Sequence, residues 1–233
     1  MNNLFKKISK KQIVISKAAE VGVYYPHTSN IIDFIDADIP SILIEADPLC
    51  VEKIHEYFRN RKITVYPYAI WDEEEIITLY RVGASTFVSS IIHSPAKIND
   101  HYIENSKDSF TAEAKQFSSI DPGDIDLISI DIEGAEWYVL KHMISRPKII
   151  NIEFRASRYS NPFKKEIIDW LRSNNYTLWY HDDTDSVYHR NDVLNLKMSE
   201  RILIMINNFI VIAQHTTKKI IKNLVAPLTS GLR

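Results

Sequence analysis

Cysteine is almost missing from this chain. Cys50 stands alone among 233 residues, which excludes an intramolecular disulfide and a cysteine zinc site and suits a reducing, cytoplasmic compartment. Net charge is nearly missing too. The 28 basic and 30 acidic side chains leave a formal charge of −2, so no whole-protein basic field invites nucleic acid. Long apolar runs are also lacking. The most apolar stretch, ILIMINNFIVIA at 202–213, is shorter than the ~20 residues of a membrane-spanning helix, and Asn207 and Asn208 interrupt it. The basic start MNNLFKKISKKQ is followed by no apolar segment or cleavage site, so no signal peptide is expected. Lys6, Lys7, Lys10 and Lys11 read as a solvated arm over residues 1–11, with contact to an anionic surface as the alternative.

What is present describes a globular protein. An apolar share of 45% with 25% charged residues is ordinary for one, and the length suits one sizeable core rather than two full domains. Short apolar runs at 18–25, 41–47, 62–70, 126–131, 148–154, 176–181 and 186–190 predict strands. Amphipathic stretches at 28–35, 48–60, 135–143 and 162–174 predict helices between them. Asp47-Pro48 and Asn161-Pro162 are N-cap and first-turn pairs, and Asn174-Asn175 suits a left-handed helix end. Continuous apolar strands alternating with helices imply a mostly parallel sheet covered on both faces, an α/β fold. DDTD (182–185) is short enough to join the last two strands as an antiparallel C-terminal hairpin. The main domain is then expected over 12–198. Within it, 81–125 shows no sustained period and reads as a cover over the site. The tail over 199–233 has three readings: a helix packed on its own domain, a homo-oligomer interface, or an interfacial membrane helix.

In such a sheet, ligands bind at the carboxyl ends of the strands. Glu20, Glu45, Asp131 and Glu153 each end an apolar run. Glu45 is placed to accept from both hydroxyls of a ribose; the alternative is a first-turn acid for the next helix, a capping role that Asp47 already suits. Glu20 is either a partner for a cationic amino group or a buried, paired acid. The turn after it, EVGVYYPHTS, has Gly22 but lacks the G-x-G-x-x-G that admits a pyrophosphate. Tyr24, Tyr25 and Pro26 obstruct that approach, which disfavours a dinucleotide and leaves a nucleoside without phosphates. In IDLISIDIEGAEWYVLKH (125–142), Asp131 and Glu133 reach the ligand edge, Gly134 permits a tight turn, and Glu136 is expected to face solvent at a helix start. Capping is the alternative for Asp131. A metal held by the D-x-E pair is a rival, but no regular third and fourth ligands accompany it, so no metal site is assigned. Eight histidines are scattered without H-x-x-x-H spacing; His27 and His93 fall in predicted ligand-edge loops. Neither G-x-S-x-G nor a P-loop occurs.

DIDLISIDIEGAEWYVLKHM (124–143) closely resembles the signature of FkbM-type methyltransferases. AEVGVYYPHTSN, ILIEADP, YPYAIWD and GASTF follow the family's order, and the resemblance covers roughly 12–190. It implies a seven-stranded Rossmann-like fold and transfer of a methyl group from S-adenosylmethionine, usually to a hydroxyl of a sugar, glycolipid or polyketide-like metabolite. The partner implied is thus a small-molecule or glycan acceptor. By position, Glu20 and Gly22 would flank the methionine moiety, Glu45 with Asp47 the ribose, and Tyr68 and Ala69 the adenine. Asp131 and Glu133 would lie beside the reacting centre, either one a candidate base, with His93 in reserve. Ser85 and Thr86 would orient the acceptor hydroxyl. Tyr24 and Pro26 depart from the family's usual Asn and second Gly. Two other classes compete: a metal-dependent glycosyltransferase using a nucleotide sugar, and a non-catalytic nucleoside-binding module.

Overall fold

The computed structural model describes residues 2–82, 85–88, 91, 102, 105–153, 161–182 and 185–206. Four wholly buried strands form its centre: β1 (Ala18–Val21), β2 (Ser41–Ile44), β8 (Leu127–Ile130) and β9 (Ile149–Glu153). With β3 (Ile63–Tyr66), β10 (Tyr176–Asp182) and β11 (Asp185–Arg190) they make a seven-stranded sheet ordered β10-β11-β9-β8-β1-β2-β3. All pairings from β9 to β3 are parallel, while β11 lies antiparallel to both β9 and β10.

Strand alternation sends successive residues to opposite faces, and each face is covered. On one, Ala18, Leu43, Leu127 and Ile149 pack beneath α1 (Asn3–Lys10), α2 (Ile32–Asp36) and α3 (Pro48–Tyr57), through Leu4, Ile8, Phe34, Ile35 and Ile54. On the other, Ala19, Ile44, Ile128 and Ile150 meet α4 (Glu136–Lys141) and α5 (Lys164–Ser173), through Val139, Leu140, Ile167 and Leu171. The basic N-terminus is therefore a docked helix rather than a free arm. Asn2 caps it by accepting from the Phe5 amide at 2.8 Å, while Lys6 and Lys10 stay exposed.

The run at 62–70 was expected as one strand, but it divides at Pro67. Proline has no amide to give the ladder, so β3 stays in the main sheet and β4 (Ala69–Ile70) joins a second one. That second sheet, β4-β7-β5-β6, also contains β5 (Glu75–Val82), β6 (Ser85–Val88) and β7 (Ser109–Lys115). Ile77, Leu79, Val88, Ala112 and Ala114 face its core. Thus part of the segment expected to be irregular is regular strand. Its alternation is faint because small alanines fill the buried positions of β7. Residues 198–206 are helical.

Candidate functional site

The chain order reverses between β1 and β8: β2 and β3 spread to one side, β8 and β9 to the other. Strand ends diverge at such a switch point and leave a crevice. Here a cleft of about 700 Å³, including solvent at its mouth, is lined by Gly22, Tyr24, Glu45, Tyr68, Ala69, Ile70, Asp131 and Glu133. Leu79, Thr86 and Val88 of the second sheet complete the lining.

Gly22 sets how closely β1 and β8 leave the sheet. Its φ is +83°, and a Cβ there would lie 1.8 Å from the Asp131 carbonyl oxygen, so no other residue fits. The chain then turns through Tyr24, itself left-handed at φ +55°. This aims the Tyr24 amide at Glu45, whose Oε2 accepts it at 2.8 Å, while Oε1 accepts the Asp47 amide at 2.8 Å. Each oxygen keeps a second lone pair for a ligand hydroxyl. Burial raises the Glu45 carboxyl, and the backbone amides of Asp47, Tyr24 and Ala46 oppose that rise. The Tyr24 ring lies 4.1 Å from that of Tyr25, over which Lys53 sits at 3.9 Å. The first turn is thus filled by side chains rather than open backbone.

Asp47 stands behind the pocket rather than in it. It caps α3 through the Leu49 amide at 2.9 Å and accepts Nη2 and Nε of Arg81, the former at 2.9 Å. Glu20 is likewise turned away. Buried beside α2, it accepts the Asn30 amide at 2.7 Å and the Ser29 hydroxyl, and burial pushes its pKa up to about 8. Of the two readings of Glu20, the paired buried acid is the observed one.

The DIEGAE turn carries two consecutive left-handed residues, Glu133 at φ +56° and Gly134 at φ +110°. Glu136, expected in solvent, is fully buried and holds this turn together. Its Oε1 accepts the Ile132 and Gly134 amides at 3.1 and 3.0 Å, and its Oε2 accepts the Asn161 side-chain amide. The turn's own amides need an acceptor, and a helix-start acid two residues on supplies it. Burial raises Glu136 to about 7.

Carboxylate oxygens of Asp131, Glu136 and Glu153 lie within 4.8 Å of one another. A hard cation could bridge them; shared protons meet the same need. Burial and then the neighbouring acids push Asp131 up to about 8 and Glu153 higher still, and the two are hydrogen-bonded. A hydrogen bond between two carboxyl groups needs a proton, which the pair shares. Of these three, Asp131 alone lines the cleft. Glu153 has no role in the sequence reading, although it ends an apolar strand just as Glu45 and Asp131 do.

The expected site residues therefore separate. Gly22, Glu45, Tyr68, Ala69, Thr86, Asp131 and Glu133 share one pocket. Glu20 and Asp47 support it from behind. Ser85 lies in β6 opposite Val82, its side chain outside the described residues, as is His93 altogether.

Residues 20–178 match the Methyltransferase FkbM domain. The chain belongs to the FkbM methyltransferase family. Methyltransferases of this family use S-adenosylmethionine. No curated protein matches this FkbM chain in sequence. Solved structures similar to it include the methyltransferase domain of bacterial CtHen1, at TM-score 0.44 and 6% identity over 79% of this chain and 93% of the other. A ribosomal protein L11 methylase from Lactobacillus delbrueckii subsp. bulgaricus gives 0.40 and 10% over 79% and 73%. A precorrin-6y C5,15-methyltransferase from Geobacter metallireducens gives 0.35 and 11% over 78% and 82%. The assignment rests on the family match and not on these distant likenesses.

The FkbM pocket has the chemistry a phosphate-free nucleoside requires. A buried carboxylate with spare lone pairs lies near a wall of Tyr68, Ala69 and Ile70, while aromatic side chains close the turn where a pyrophosphate would need bare amides.

Proposed function

We propose that this chain transfers the methyl group of S-adenosylmethionine to a hydroxyl of a small-molecule or glycan acceptor, with Asp131 taking the hydroxyl proton. When bound, S-adenosylmethionine supplies an electrophilic sulfonium methyl. Glu45 would accept from the ribose hydroxyls, and Tyr68, Ala69 and Ile70 would hold the adenine. Gly22 keeps the β1 exit low enough for the methionine portion to pass. Thr86, with Ser85 beside it in the chain, orients the acceptor. β5 and β6 help to exclude water from the reacting end.

The observation that carries this reading is one pocket with Glu45 and Asp131 on its wall, Asp131 hydrogen-bonded from behind to Glu153. A carboxylate raised to about 8 is a stronger base than an exposed aspartate, and its pKa lies near working pH. Glu133 lines the same pocket and raises Asp131 by charge, so it acts through Asp131. The test is the pH profile of single-turnover methyl transfer. A base must be deprotonated, so the rate is expected to rise with pH through about 8. Asp131→Asn keeps an acceptor for Glu153, and is expected to slow transfer by roughly 10²–10⁴-fold and to abolish that rise. An unchanged rising limb in Asp131→Asn would assign the base elsewhere.

A further inference from the structure

The helix over 198–206 is inverted relative to an ordinary surface helix. Glu200 and Ile204 turn toward the body: Glu200 pairs with Lys11, and Ile204 packs on the core beneath α1. At 100° per residue the opposite arc holds Met198, Ile202, Met205 and Ile206, with Leu203 on its flank. These five side chains are 50–74% exposed. An isolated exposed leucine calls for no explanation, but a whole apolar helix face does.

Charge surrounds that face asymmetrically. The Lys11–Glu200 pair fixes it beside α1, whose sequence NLFKKISK holds no acid. Lys6 and Lys10, one turn apart, are exposed there, as are Lys197 and Arg201 on the helix and its approach. Both acids of 191–206 are already bonded, Asp192 to Arg190 and Glu200 to Lys11. In the sequence, further apolar residues (Phe209, Ile210, Val211, Ile212) and then Lys218, Lys219 and Lys222 follow. Among the described residues no helix is long and apolar enough to cross a membrane.

We propose that the apolar face of this helix and the lysine face of α1 together form a docking surface for an anionic lipid bilayer. The apolar residues enter the acyl boundary while the lysines meet lipid phosphates and carboxylates, as in interfacial amphipathic helices. Charge favours this occupant: the exposed cations beside the apolar arc, Lys6, Lys10, Lys197 and Arg201, meet anionic headgroups while the apolar side chains meet acyl chains.

The test is co-sedimentation of the full chain with phosphatidylcholine vesicles, with and without about one-third phosphatidylserine, alongside its mass in solution. Binding is expected to the anionic vesicles, at least about tenfold tighter than to the neutral ones, and weaker at high salt. Lys6→Glu with Lys10→Glu is expected to weaken it by roughly 30-fold or more. Ile202→Asp with Met205→Asp is expected to abolish it with unchanged melting temperature, since both side chains are exposed. Equal or absent binding to the two vesicle types would overturn the proposal. So would a wild-type mass of twice 27.1 kDa that halves in Ile202→Asp/Met205→Asp, which would make the occupant a second copy. A loss of fold stability in that variant without vesicle binding would make it the chain's own remaining segment, and would overturn the proposal equally.

Discussion

At the scale of single residues, five carboxyl groups near the strand ends do five different things. Glu45 takes two backbone amides at the pocket wall, Asp131 faces the cleft, Glu153 bonds Asp131 from behind, Glu20 braces α2, and Glu136 fastens a turn. Glu133 stands apart because its backbone is left-handed. A non-glycine residue costs about 1–2 kcal/mol there, and strain of this kind persists where the surroundings require it. Glu133→Gly is therefore expected to leave stability unchanged or raise it by up to about 1 kcal/mol in urea denaturation, while turnover falls. Equal loss of both would show that the side chain serves the fold. Acids that end apolar runs were legible in the sequence, and so was Glu45 as a pocket residue. Which way a terminal side chain turns was not legible, because it depends on amides contributed by distant segments. Asn30 claims Glu20 and Arg81 claims Asp47, from positions 10 and 34 residues away.

Among elements, the DIEGAE turn is the clearest unit. A first-turn acid normally complements its helix dipole from solvent, and that rule misplaced Glu136. Two left-handed residues in a row point the Ile132 and Gly134 amides inward, where Glu136 accepts them. Glu136→Ala would orphan these two amides and the Asn161 side chain. A cost of about 2–4 kcal/mol in chemical denaturation is expected, with turnover falling as Asp131 and Glu133 lose their placement. A loss below about 0.5 kcal/mol would mean the turn is held by other means. The strand–helix rhythm was legible because apolar runs and caps are local. The second sheet was less so. The run at 62–70 reads as one strand because its apolar pattern continues across Pro67, and the strands that receive β4 are set by pairing over some 45 residues, with Ala69 opposite Ala114.

For the whole molecule, buried acids couple folding to pH. Glu20, Asp131, Glu136 and Glu153 all have folded-state pKa values raised above the ordinary carboxyl range. The native chain then binds these protons more tightly than the unfolded one. Their contribution to stability is complete below the unfolded value and declines as pH rises toward the folded values. Melting temperature is thus expected to fall between about pH 5 and about pH 8, each titrating group adding at most about 1.4 kcal/mol per pH unit. Glu20→Gln, which lies outside the pocket, should flatten that decline. A profile parallel to wild type would remove Glu20 from the set. The parallel sheet and its two covered faces were legible from continuous apolar strands. The pocket was legible only as a place, the switch point, since its walls come from two sheets that meet at Tyr68 and Ala69. Its ligand is the claim on which the rest depends. Calorimetric titration of the chain with S-adenosylhomocysteine, beside Glu45→Ala, tests that claim most directly. Saturable binding, weakened roughly 10–100-fold by loss of the Glu45 carboxylate, is the expected result; no heat at millimolar ligand, or equal affinity in Glu45→Ala, would contradict it.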